Sequence, residues 1–168
     1  MKKLSLLTLG APLLRERSKK VTLKELRSGP YQKLIDSMVK VMRANRGVGL
    51  ALPQIGISKR ICVVEYISND RYPGRSDIPL MVLVNPRFSF MSKKLIYGWE
   101  GCLSLPGLRG RVPRSKEVVL KSWDRRGKNI TIRSSTFLSV ILQHEIDHLD
   151  GHVFLDRMKG LKSLSYQK

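Results

Sequence analysis

The sequence predicts an α+β fold, on three observations. Helical apolar periodicity is strong in only two stretches. The other apolar residues fall in short runs punctuated by Gly, Pro, Asn and Asp. A hairpin signal, Asp124-Arg125-Arg126-Gly127, joins two of those runs. Many short strands beside two helices make an α+β chain. At 168 residues it is long enough to bury a core and is read as one domain, 1–168.

In chain order, residues 1–29 read as an irregular basic arm. Met1-Lys2-Lys3 and the apolar run after it imitate a secretory signal. Pro12 interrupts that run, 15–20 (RERSKK) is basic, and no A-x-A site follows, so the arm reads as mature sequence. Leu34, Ile35, Met38, Val41 and Met42 give a helix over 31–44, with Pro30 suited to its first turn. A glycine-bearing loop at 47–56 lacks any phosphate-loop pattern, and Gln54 is its one polar side chain. Strands are expected at 60–66, 80–84, 87–90 and 94–97, with 68–77 an exposed loop and Asn85-Pro86 ending the second strand. Strands at 118–123 and 129–133 flank the hairpin turn. Ser134, Ser135 and Thr136 offer N-caps to a second helix, Phe137, Leu138, Ile141 and Leu149 its apolar stripe, and Gly151 its end.

Hydrophobic content of 42% and charged content of 27% are ordinary for a globular protein. No apolar run approaches the ~20 residues of a membrane-spanning helix, and there is no repeat or heptad array. Two cysteines are too few for a disulfide framework: Cys62 suits a core strand, whereas Cys102, between glycines and a proline, has no obvious packing role. The formal charge of +19 favours a polyanionic neighbour, nucleic acid or ribonucleoprotein. Without a zinc finger, RRM signature or KH loop, sequence-specific readout is not expected.

The chemistry centres on His144-Glu145-Ile146-Asp147-His148. On a helix, residues i and i+4 share a face, so His144 and His148 can present two imidazoles to one ion. Glu145, about 100° around the helix from His144, can reach a water as general base without being a ligand. Catalytic sites of this type use three protein ligands and an open position. Cys102 is the natural third, and a thiolate with two imidazoles suits zinc, iron(II), cobalt or nickel. Backbone N–H groups in the Cys102 loop could stabilise an oxyanion. One alternative is a zinc metallopeptidase with a third ligand downstream, but His152, the remaining histidine, reads as a surface residue. Another is an inactive basic ribosome-associated protein, against which the intact Glu145 argues.

Three motifs together resemble the peptide deformylase family, whose pattern runs G-x-G-x-A-A-x-Q, E-G-C-L-S and H-E-x-D-H. Here they read GVGLALPQ (47–54), EGCLS (100–104) and HEIDH (144–148), and GAPLL near residue 10, VNP at 84–86, VPR at 112–114, Phe154 and Asp156 extend the likeness over nearly the whole chain. The resemblance implies small antiparallel sheets packed around a central metal-binding helix. It implies that Cys102, His144 and His148 bind one divalent ion, natively iron(II), with zinc, nickel or cobalt as alternatives. Glu145 would move the proton, while the Gln54 amide and the Leu103 backbone N–H would hold the formyl oxygen. Gly49 and Arg109 would lie beside the substrate backbone, and Glu100, paired with Arg114, would shape the cysteine loop. Val48, Phe137, Val140 and Ile141 would line a methionine pocket.

The implied reaction is cytoplasmic hydrolysis of the N-formyl group from nascent formyl-methionyl peptides. Two features depart from the pattern. Leu52 replaces its second alanine, and the short tail after Asp156 resembles a branch without the long C-terminal ribosome-docking helix. Ribosome contact would then be weak and electrostatic, through 15–20 and Lys159, Lys162 and Lys168.

Overall fold

The structure, a computed structural model, describes residues 4–68 and 74–166. Residues 1–3, 69–73 of the expected loop at 68–77, and 167–168, which include the tail lysine Lys168, lie outside those residues. A helix α1 (Leu23–Leu26) and a longer α2 (Gly29–Ala44) precede a five-stranded antiparallel sheet in the order β1-β2-β3-β6-β7. Its strands are β1 (Gly49–Ala51), β2 (Ile61–Tyr66), β3 (Ile78–Met91), β6 (Val118–Trp123) and β7 (Asn129–Ser134). A three-stranded sheet, β4-β5-β8, comprises β4 (Leu95–Cys102), β5 (Leu105–Ser115) and β8 (Ser165–Tyr166). Helix α3 (Phe137–Leu149) packs against both sheets.

Strand β2 shows why α3 is central. Successive strand side chains point to opposite faces. Ile61 and Val63 join the cluster around Ile35, Met38 and Met42 of α2, whereas Cys62 and Val64 join Ile141, Leu142, Ile146 and Leu149 of α3. The five-stranded sheet is therefore covered by α2 on one face and α3 on the other, and the burial of both faces explains the unbroken apolar run in β2. A third cluster, Leu105, Val112, Val153 and Phe154, closes the smaller sheet.

The α+β class, both main helices, the 118–123 strand and the hairpin agree with the sequence reading. Four expectations change. Residues 4–29 are no loose arm: Leu14, Ser18, Val21 and Leu26 are buried, and a capping box between Thr22 and Glu25 starts α1. Asn85-Pro86 does not end a strand, because Asn85 takes φ 51°, its side chain bonds both the N–H and C=O of Val21, and the ladder resumes at Arg87. The 94–97 strand extends to Cys102, and β5 was not anticipated, since Pro106, Gly107, Gly110 and Pro113 read as breakers. His152 is half-buried, with its Nδ1 enclosed. Leu52 is fully buried in the α2 cluster, so its extra bulk is accommodated in the core. Among the described residues no helix is long and apolar enough to cross a membrane.

Candidate active site

Helix α3 begins at Thr136, which supplies no side-chain cap bond, and ends beside Gly151 at φ 81°. Its inward face carries His144, Glu145 and His148, while Cys102 is the last residue of β4. Cys102 Sγ lies 3.1 Å from His148 Nε2, and the imidazole centroids are 5.0 Å apart. Among the described residues, Cys102, His144 and His148 form the one group whose ligand atoms, all within 4.8 Å of one another, are placed to hold a metal ion.

The donor set fits such an ion. Ligands at about 2.0–2.3 Å from one centre stand roughly 3.5 Å from each other. Burial lowers the His148 pKa well below its ordinary value, giving the neutral imidazole that ligation requires. Burial also opposes protonation of His144, yet Cys102 and Glu100 beside it outweigh burial and draw positive charge there. The Nδ1 of His144 is 2.8 Å from Glu100 Oε2, leaving Nε2 for the ion.

A buried ionic network anchors those ligands. Glu100 accepts from Arg114 Nε at 2.7 Å and Nη2 at 3.0 Å, and Arg114 Nη1 donates to Asp147 at 2.6 Å. Asp147 also accepts from Arg157 Nη2 at 2.8 Å. Burial raises the Glu100 pKa, but Arg114 and His144 overcome it and hold the carboxyl at about 2. Gln143 ties α3 to β5 through both the N–H and the C=O of Ser115, each at 2.9 Å. Arg114→Ala would leave buried Glu100 with His144 alone and Asp147 with Arg157 alone, so a loss of about 3–5 kcal/mol of stability is expected in denaturant unfolding. A loss under about 1 kcal/mol would show that the network is solvated or dispensable.

A cavity of about 440 Å³ opens over the metal ligands. Val48, Gly49, Gln54, Glu100, Cys102, Leu103, Phe137, Val140, Ile141, His144 and Glu145 all line it. Gln54 Oε1 accepts from the Ala51 N–H at 2.8 Å, which orients its Nε2 toward Ser104 Oγ at 3.3 Å and Cys102 Sγ at 3.6 Å. Glu145 is buried, with Oε2 making no hydrogen bond, and burial pushes its pKa up to about 7. A Cβ at Gly49 would overlap the Glu145 carboxylate, so glycine is what admits this close approach.

Arg109 lies outside the cavity wall, stacked over the Trp99 ring at 4.9 Å. Sequence reasoning gave no role to Asp147, Arg157 or Gln143, nor to the walls at Trp99 and 105–108 or at Leu6 and Thr8. The aspartate inside HEIDH was the available signal, since a charged residue on a core-facing helix turn needs a partner. The N-terminal wall had no signal; it is set by backbone bonds from the Leu7 N–H to Gln54 O at 2.7 Å and from the Leu9 N–H to Ser104 O at 2.9 Å.

Comparison with known proteins places this geometry. The family model described as polypeptide deformylase matches residues 3–164. Peptide deformylase 1A, chloroplastic/mitochondrial, of Arabidopsis thaliana is 45% identical over 161 residues, covering 89% of this chain and 59% of that protein, so the chain spans about three-fifths of that relative. Peptide deformylase of Leptospira biflexa is 38% identical over 97% of this chain and 92% of its own length. A Met-Ala-Ser-bound class I type b peptide deformylase from Acinetobacter baumannii superposes with a TM-score of 0.90 at 36% identity, over 92% of this chain and 98% of that one. With its fold shared at this level, with the thiolate and two imidazoles in one ligand group and with the glutamate beside them on the cavity wall, the chain belongs to the polypeptide deformylase family.

Proposed function

We propose that this chain removes the N-formyl group from formyl-methionyl polypeptides, using one metal ion held by Cys102, His144 and His148. Deformylation is the activity of the family to which it belongs, and the observation that supports it most is that Cys102 and His144 of that ligand group line one cavity with Gln54 and Glu145. Iron(II) is the ion proposed, as the family resemblance implies, and the thiolate–imidazole set also suits zinc, nickel or cobalt. When bound, a divalent ion of this kind makes water acidic near neutral pH and polarises a carbonyl.

The protein's own groups then do the following. Glu145 accepts the proton of the attacking water and returns it to the departing amine, a transfer favoured by a pKa near the working pH. The Gln54 amide and the Leu103 backbone N–H donate to the oxygen that becomes negative as water adds to the formyl carbon. The C–N bond breaks, and the products are formate and a free methionine amine. Val48, Phe137, Val140 and Ile141 provide the apolar wall for the methionine side chain, and Gly49 leaves its backbone open to the substrate. Arg109, from above Trp99, borders the substrate path. Both sheets pack against α3, and the five-stranded sheet carries an apolar cluster on each face, which supports reading 1–168 as one catalytic domain.

Gln54→Ala is expected to lower kcat by about 100-fold, the worth of one oxyanion donor. Steady-state kinetics decide it: a rise in KM with kcat unchanged would make Gln54 a uniform binder of substrate.

The surplus charge and the nascent-chain substrate together point to work in the cytoplasm at the ribosome surface, through diffuse contacts with RNA phosphate. The 15–20 stretch is less available than its composition implies, because Arg15 is bonded to Asp156 and Arg17 lies 3.7 Å from Asp150. Co-sedimentation with ribosomes is expected to fall steeply between about 50 and 200 mM salt. Absence of binding at the lowest salt would dismiss the contact.

A further inference from the structure

The outward face of β4 carries Leu95, Tyr97 and Trp99, which are 45%, 47% and 49% exposed. Residues i, i+2 and i+4 of a strand share one face, so the three side chains form one apolar ladder. Single exposed apolar residues are ordinary, but a continuous row marks an interaction surface. One end of this row is already inside the site, because Trp99 lines the same cavity as Gln54, Cys102 and Glu145. Two cations are stacked along it, Arg109 at 4.9 Å from the Trp99 ring centre and Lys159 at 5.4 Å from that of Tyr97. Those contacts hold the rings in place and give the row a positive border.

The occupant follows from continuity with the cavity and rests on the deformylase reading above. A formyl-methionyl polypeptide has only its first residues in the cavity, and the remainder must leave through the mouth. At about 3.3 Å per residue, Trp99 stands roughly 10 Å along β4 from Cys102, and Leu95 roughly 23 Å. A chain leaving past Trp99 therefore meets Tyr97 and then Leu95. We propose that Tyr97 and Leu95 form an outer docking strip for the downstream polypeptide of the substrate. The strip accepts apolar side chains at alternate positions, about five to seven residues from the formyl group by the same spacing. Acidic residues between them complement Arg109 and Lys159.

The test compares a formyl tripeptide with a formyl octapeptide bearing leucine at positions five and seven, on metal-loaded enzyme. Wild-type kcat/KM is expected to be about tenfold higher for the octapeptide, equivalent to about 1.4 kcal/mol. Tyr97→Ser with Leu95→Ser should abolish that ratio while leaving tripeptide turnover unchanged, which also reports on folding. Phe90→Ser, an exposed position on β3 at 52%, should preserve both values. Equal ratios in the wild type and the double variant, or no gain with length, would overturn the strip alone. Failure to hydrolyse even the tripeptide would overturn the strip and the deformylase reading together.

Discussion

Cys102→Ala, His144→Ala and His148→Ala are each expected to leave the purified protein without stoichiometric metal and without turnover. Three protein ligands are the minimum for a catalytic site of this kind. Loss even of a group that only supports a ligand costs about 10–100-fold in metal affinity, so loss of a ligand should cost more. Metal quantification after dialysis separates this from misfolding when combined with an unchanged unfolding curve in the presence of chelator. Cys62→Ala is the matched control, because Cys62 is fully buried in the α3 cluster and is not in the ligand group. A Cys102→Ala protein that keeps one equivalent of metal would remove that thiolate from the site.

Glu145→Gln is expected to retain metal while kcat falls by about 10²- to 10⁴-fold, the worth of a positioned acid–base group. The amide keeps the shape that fits against Gly49 but cannot accept a proton. Burial is the cause of the raised Glu145 pKa, and Glu100 adds to it while His144 opposes it. Single-turnover kinetics on the loaded variant are the measurement. Near-normal turnover would assign the proton transfer to another group.

Much of this site was legible in the sequence because its chemistry is local. His144, Glu145 and His148 occupy one helical turn, and their mutual placement follows from helix geometry alone. Cys102 could be named by elimination of packing roles and by motif, but its 3.1 Å approach to His148 depends on the pairing of β4 with β5, a strand that its prolines and glycines concealed. Pro113 sits opposite Tyr97, and Gly110 leaves room that a Cβ would take from Met158, so the supposed breakers are accommodated within the pairing of β4 and β5. The reading of 80–84 and 87–90 as separate strands failed for a related reason. Asn85 adopts a left-handed backbone because a distant residue, Val21, satisfies its side chain. Arg114 and Arg157 converge on Asp147 only after β5 and the segment following α3 pack together, and no spacing along the chain encodes that.

The most direct measurement is the chemistry itself, on protein prepared without oxygen because a thiolate ligand and ferrous iron both oxidise. Formyl-Met-Ala, acetyl-Met-Ala and unblocked Met-Ala are incubated with enzyme of known metal content, and formate, new amine and free alanine are quantified. The expected result is formate and Met-Ala released one for one from the formyl peptide, in proportion to bound metal, with the acetyl and unblocked peptides left intact. Free alanine from the unblocked peptide, or metal-loaded enzyme that releases no formate, would contradict the account.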